Sequence, residues 1–270
     1  MLRLRTLSCW ALAGGLSLGI VACGTPGTVM QAAAEGTSDA RILYRQQCAA
    51  CHGDQGTGDG PMAWWLPAPP RDFQHEPFRY ISSASGAGVD LADLERTIRR
   101  GILGAGMPAS PHLGDTEVQE LAELVLAWRR AGMAQDLLDY AAEEDEEMSP
   151  EEALEIADSL LESGGSLPVP PRPEDYVFDL DRAAALFAAN CAACHGADGR
   201  GDGVRGMTDE QGRPIQARDF VATGIWGGRT DRDLYWRIRL GMPGTPMPAT
   251  EIADEDVWQL VDYVRVLAQG

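Results

Sequence analysis

Apolar residues recur at helical spacing in two stretches of the chain that repeat the same order of elements. In the first stretch the predicted helices cover residues 38–48, 90–101 and 115–131. In the second stretch they cover residues 179–191, 230–240 and 254–268. Loops rich in glycine and proline separate the helices, since neither residue sustains a helix. The pattern therefore predicts an all-α protein built from a duplicated module.

The segment between the modules differs in composition from both. It contains an acidic block at residues 143–147, a short predicted helix that stops at Gly164, and a proline-rich stretch at residues 167–173. Such a segment can dock a partner or simply separate two domains, and separation is the simpler expectation. We expect a first domain at residues 38–134, a linker at residues 135–175 and a second domain at residues 176–270.

The N-terminus has the character of an export signal. Two arginines precede an apolar run that ends Ile-Val-Ala directly before Cys23, which resembles the lipobox of bacterial lipoproteins. An uncleaved anchor helix and an ordinary signal cut elsewhere are the alternatives, although the run is short for a membrane span. We expect a signal at residues 1–23, a flexible tether at residues 24–37, and a periplasmic or other extracytoplasmic protein that a lipid on Cys23 holds at the membrane.

The charge of the chain narrows the choice of partner. Its 270 residues include 22 basic and 41 acidic side chains, for a formal net charge of −19, and the basic residues are all arginine. An acidic surface argues against binding nucleic acid or docking on anionic lipid through charge. It favours a basic or neutral partner surface, although solubility or a saline habitat would explain it as well.

The same pentapeptide, Cys-Ala-Ala-Cys-His, ends the first predicted helix of each module. The two copies place their cysteines and histidine at Cys48, Cys51 and His52, and at Cys191, Cys194 and His195. C-x-x-C-H is typical of c-type haem attachment, because both thiols can reach one porphyrin edge and the histidine can ligate the iron. A redox disulfide and half of a zinc site also use C-x-x-C. Two copies, each followed by a Met-Pro pair, favour haem.

The Met-Pro pairs lie in loops where an apolar helix face cannot explain a methionine. Met107 in the first loop is therefore a candidate thioether ligand for iron, with core filling as the alternative. In the second module Met242 and Met247 compete for this role. Met247 follows Gly241 at the distance at which Met107 follows Gly101, so Met247 is preferred and Met242 is the second choice.

Four further residues of the first module are candidate contacts for a haem. Trp64, Trp65 and Phe73 are predicted to pack against it. Arg71 suits a propionate, because a guanidinium pairs with a carboxylate in a fork, although it can equally be a surface charge. The segment Pro-Arg-Asp-Phe that contains Arg71 recurs in the second module as Ala-Arg-Asp-Phe.

Each module resembles a small class I cytochrome c. The shared features are the helix that ends in C-A-A-C-H, a glycine-rich loop, the Met-Pro loop and a C-terminal amphipathic helix, and they span nearly all of both expected domains. The resemblance implies two tandem domains, each a small helical fold around a covalent haem c. It implies thioether attachment at Cys48, Cys51, Cys191 and Cys194, proximal ligation by His52 and His195, and distal ligation by Met107 and Met247. In this family a proline carbonyl orients the proximal histidine; Pro61 stands at that place in the first module and Val204 in the second.

The resemblance implies a dihaem electron carrier rather than an enzyme. Histidine and methionine on both sides of each iron would leave no position for a substrate, and methionine raises the potential. Its partners would be redox proteins or a membrane respiratory or photosynthetic complex. A dihaem peroxidase, which also carries two C-x-x-C-H motifs, is the main alternative and needs an iron that opens to peroxide beside acid–base groups. A third possibility is a sensor or docking module that uses the acidic linker as its contact surface.

Overall fold

The computed structural model describes residues 36–84, 88–162 and 164–269. The α-helices within these ranges are α1 Ser38–Gln47, α2 Ala49–His52, α3 Leu91–Arg100, α4 Asp115–Glu143, α5 Pro150–Leu161, α6 Leu180–Asn190, α7 Ala192–His195, α8 Phe220–Thr223, α9 Asp231–Leu240 and α10 Asp254–Gln269. The described residues form no strand, only isolated bridges from Ile102 to Met107 and from Thr208 to Pro214. The all-α prediction is confirmed. The expected signal and Cys23 lie outside the described residues.

Two helical cores repeat the same arrangement. In the first module α1 and α3 pack on α4, and the ring of Tyr44 meets that of Trp128 edge-on with 4.6 Å between centroids. In the second module α6 and α9 pack on α10, and the ring centroids of Phe187 and Tyr263 lie 5.2 Å apart. Polar caps fix the helix starts, as Thr230 does for α9 by accepting a hydrogen bond from the Asp233 amide. The two modules are thus built on equivalent helix pairs.

Helix α4 is longer than the sequence pattern predicted. It continues past residue 131 to Glu143, because its last turns pack Leu137 and Leu138 against Ala153 and Leu154 of α5. An ion pair between Arg130 and Asp158 ties the two helices together. The acidic block lies at the turn of this hairpin, so the first part of the expected linker is an antiparallel helix pair.

The proline-rich stretch is bonded to both modules and is not the free spacer that composition suggested. The amide of Leu167 donates to the carbonyl of Ser82 at 2.7 Å, and the indole N–H of Trp236 donates to the carbonyl of Leu167 at 2.8 Å. Arg172 then forms ion pairs of 2.6 Å with Asp231 and Asp262. These bonds hold the linker across the junction of the two modules.

Within the described ranges, no helix is both long enough and apolar enough to cross a bilayer.

Candidate cofactor-binding chamber

Both pentapeptides adopt the same backbone conformation. The preceding helix breaks at the first cysteine, with φ and ψ of −123° and −36° at Cys48 and −124° and −35° at Cys191. A single turn follows, closed by the histidine amide, which donates to the cysteine carbonyl at 2.9 Å in each copy. This turn places the two cysteines and the histidine of each motif on the wall of a cavity.

The chemistry of the thiols argues against a redox disulfide or a zinc site. Burial, followed by the neighbouring cysteine, raises the pKa of Cys48 and of Cys191 to about 11. A redox C-x-x-C motif instead needs a lowered pKa, because the thiolate is the reactive form. The four cysteines are free, and the described part of the chain holds no group of three or more His, Cys, Asp or Glu side chains suited to a metal ion.

A backbone carbonyl orients each histidine, and it comes from arginine rather than from proline. The Nδ1–H of His52 donates to the carbonyl of Arg71 at 3.3 Å, and that of His195 donates to Arg218 at 3.3 Å. The carbonyl of Pro61 instead accepts the indole N–H of Trp64 at 3.1 Å. Donation from Nδ1 leaves the Nε2 lone pair of each imidazole available for iron.

The repeated Arg-Asp-Phe segment also supplies an aromatic face to each histidine. Phe73 stacks on His52 with 4.5 Å between ring centroids, and Phe220 stacks on His195 with 4.8 Å. The aspartate caps the next turn in the second copy, where Asp219 accepts from the Ala222 amide at 2.8 Å. One three-residue segment thus positions the imidazole of the pentapeptide from two sides in both modules.

Burial lowers the pKa of both histidines, although the hydrogen bond to the arginine carbonyl acts in the opposite direction. A buried imidazole in this setting stays neutral near pH 7, which is the form that ligates a metal.

The two methionine loops contain equivalent backbone hydrogen bonds. The Ile102 amide donates to the Met107 carbonyl at 2.9 Å, and the Met242 amide donates to the Met247 carbonyl at 3.0 Å. Met247 therefore takes the place of Met107, while Met242 takes the place of Ile102. All three methionines line the cavity.

The cavity is continuous between the modules. Its volume is about 810 Å³, and its wall includes both pentapeptides, both methionine loops and six arginines, Arg71, Arg79, Arg200, Arg213, Arg218 and Arg237. Phe73 lines it as predicted, but Trp64 and Trp65 do not, being 75% and 67% exposed. The prediction that both tryptophans pack against a haem is wrong, because the turn Ala63–Trp65 directs them outward.

The arginines of this chamber fit the acidic groups of a haem. The Nε atom of Arg79 is buried without a hydrogen-bond partner. Within the described ranges Arg218 and Arg237 form no ion pair; Arg218 lies 3.2 Å from the ring of Trp226, and Arg237 donates to backbone carbonyls. Such side chains suit the propionates of a porphyrin whose body fills the apolar part of the cavity.

Comparison with known proteins agrees with this donor set. Residues 180–268 match the family described as Cytochrome c, and residues 35–125 match Cytochrome C oxidase, cbb3-type, subunit III. A cytochrome c-553-like protein of Synechocystis sp. is 30% identical over 91 residues, which are 33% of this chain and 70% of the relative. The chain belongs to the cytochrome c family. Membership implies covalently bound haem c and a role in electron transfer.

A solved structure resembles this cytochrome over most of its length. It is a chain of the Kuenenia stuttgartiensis reducing HAO-like protein complex, with 26% identity and a TM-score of 0.68. The match covers 87% of this chain and 97% of the other.

The two modules of this cytochrome contact each other through their methionine loops, which sequence reasoning missed. Gly104, in the loop of Met107, lies against the indole of Trp226, so a side chain at position 104 would meet that ring. A Cβ at Gly244, in the loop of Met247, would lie 2.8 Å from Pro77 of the first module. Glycine at these two positions was visible in the sequence, but nothing local revealed what approaches it.

Proposed function

We propose that this protein is a membrane-anchored dihaem cytochrome c that carries electrons between redox partners as the cytochrome subunit of a membrane respiratory or photosynthetic complex. The observation that carries the proposal is the single chamber lined by two equivalent sets of residues. Each set has two cysteines, a histidine held by an arginine carbonyl and a phenylalanine, and a methionine loop.

In this proposal the residues of each set have separate tasks. Cys48 and Cys51 attach one haem and Cys191 and Cys194 the other, while His52 and His195 bind from the proximal side. Met107 and Met247 complete the distal side, and the equivalence of their hydrogen bonds favours Met247 over Met242. A haem bound in this way supplies an iron that alternates between the ferric and ferrous states. A histidine and a methionine from the chain at each iron would leave no open site for a substrate.

A place in a complex is favoured by two similarities. The similar solved chain comes from a redox protein complex, and the first module matches a family named as an oxidase subunit. We extend this to the present chain as a subunit whose partners are redox proteins, with domains at residues 38–134 and 176–270.

The anchor rests on the lipobox-like sequence before Cys23. Expression in a bacterial host that lipidates proteins should place the protein in the detergent phase after phase separation. Cys23→Ser should move it to the aqueous phase, whereas Cys9→Ser should leave it unchanged. Equal partition of Cys23→Ser and the unaltered protein would contradict lipidation.

The ligand assignment is tested by optical spectroscopy of the ferric protein. Sulphur-to-iron charge-transfer absorption should correspond to two haems, and Met107→Leu or Met247→Leu should each remove half of it. Met242→Leu is the matched control and should retain the full intensity. A high-spin ferric haem in the unaltered protein would instead indicate an open iron, as a peroxidase requires.

A further inference from the structure

A loop of the second module reaches over the chamber to the first. The bridge between Thr208 and Pro214 folds this loop back on itself, and the Arg213 amide donates to the carboxylate of Asp209 at 3.0 Å. The guanidinium of Arg213 thereby projects toward Glu76 of the first module. The two terminal nitrogens of this guanidinium lie 2.6 Å and 2.9 Å from the two carboxylate oxygens of Glu76.

Five charged residues are connected at this point, and we name them the crossing network. They are Arg71, Glu76 and Arg79 from the first module and Asp209 and Arg213 from the second. Glu76 also pairs with Arg71, and Asp209 accepts from Arg213 at 2.7 Å and from Arg79 at 3.3 Å. Every cation of the network lines the chamber.

The two carboxylates of the crossing network are buried, and the network carries more positive than negative charge. Glu76 is 4% exposed and Asp209 is 7% exposed. Three guanidinium groups pair with two carboxylates, so the side chains of the network carry one positive charge in excess. Buried charges are screened far less by solvent and salt than surface charges. The excess positive charge should therefore change the free energy of any group in the chamber that gains or loses a charge.

The network is linked to both haem sites. The carbonyl of Arg71 orients His52, while the side chain of Arg71 belongs to the network. Asp209 and Arg213 belong to the second module and line the same chamber wall as His195. The network therefore lines the one cavity that contains both sites.

We propose that the crossing network sets the reduction potentials of both haem sites together. This rests on the proposed function, since it requires a haem in each module. Reduction adds one negative charge to a site, so the excess positive charge favours the reduced form of both. A simple clamp between modules would not need this excess, and buried ion pairs add little net stability.

Two substitutions of opposite sign test the proposal by potentiometric titration of the full-length holoprotein. Arg213→Gln removes a positive charge and should lower both midpoint potentials. Glu76→Gln removes a negative charge and should raise both. We expect about a tenfold change in the ratio of reduced to oxidised protein at fixed applied potential, which corresponds to about 59 mV for a one-electron couple.

Two controls separate electrostatics from loosened packing. Arg213→Lys keeps the charge and should restore both potentials, and Arg182→Gln removes a surface arginine that pairs with Glu255 and Asp256 and should move neither. Structural loosening would shift the midpoint potentials of Arg213→Gln and Glu76→Gln in the same direction, and that result would overturn the proposal. A shift at only one haem, or at none, would overturn it too. A haem content of one per chain in the unaltered protein would instead overturn the proposed function.

Discussion

The Arg-Asp-Phe segment is the smallest unit that explains how each site is built. Its carbonyl orients the histidine and its ring stacks on the same imidazole, so one loop restricts both the tilt and the rotation of the ligand. The second module repeats this geometry with Arg218 and Phe220.

Phe73→Leu should therefore loosen the imidazole of the first module alone. We expect a loss of about 1 kcal/mol in the free energy of unfolding, the usual value of an aromatic pair, and a shifted potential for one haem. Denaturant titration and potentiometry measure the two effects. Phe220→Leu is the matched variant and should shift the other haem; a shift of both haems by either variant would contradict local action.

At this scale the sequence was informative about ligands but not about what holds them. The two cysteines and the histidine are neighbours on one turn, so spacing alone predicts their placement. The orienting carbonyls of Arg71 and Arg218 come from 19 and 23 residues away in the chain. Only the folded loop brings them to the histidines, and the repeat of the segment was the one available signal.

Helix α4 shows how an element depends on its neighbours. Its apolar residues beyond residue 131 find a packing partner only in α5, which folds back on them. Helical periodicity within α4 does not indicate that partner. The hairpin is closed by Arg130 and Asp158, whose second contact measures 2.7 Å.

The hydrogen bond from Arg130 lowers the pKa of Asp158 below its usual value of 3.8. The ion pair should therefore stabilise the hairpin above that pH, and this contribution should be lost as the pH falls through the lowered pKa. Asp158→Asn should reduce hydrogen-exchange protection of α5 by about two- to fivefold at pH 7, the value of an exposed ion pair. The difference should vanish in acid, and Asp139→Asn on the same hairpin is the control.

The contact between Gly104 and Trp226 makes a second prediction at the element scale. Gly104→Ala places a methyl group against the indole, which cannot withdraw easily because the guanidinium of Arg218 lies over it. We expect a loss of about 1–3 kcal/mol in the free energy of unfolding, as for other overpacked contacts. In a Trp226→Ala background, Gly104→Ala should no longer lower the free energy of unfolding. If Gly104→Ala is as destabilising in that background as in the unaltered protein, this contact is not the cause.

At the scale of the whole molecule, the two modules share one interior. Family resemblance predicted two separate helical folds, and it could not predict that their cavities join, because the joining contacts lie between loops of different modules. The loop of residues 204–217, which carries Arg213, contributes to this junction.

Removal of one haem should therefore affect the other. Cys191→Ser with Cys194→Ser abolishes attachment in the second module and opens space beside the first site. Water in that space favours the more highly charged ferric state, so the potential of the remaining haem should fall and the melting temperature should drop. Potentiometry and calorimetry measure both changes. An unchanged potential at His52 and Met107 would mean that the two sites are insulated from each other.

The shared chamber also bears on how the protein matures. The four cysteines of the pentapeptides line one cavity whose wall both modules form. We expect a porphyrin and the machinery that ligates it to reach these thiols while the halves are still apart. Docking of the halves, and with it the Arg213–Glu76 pair, should then follow attachment of the pigment.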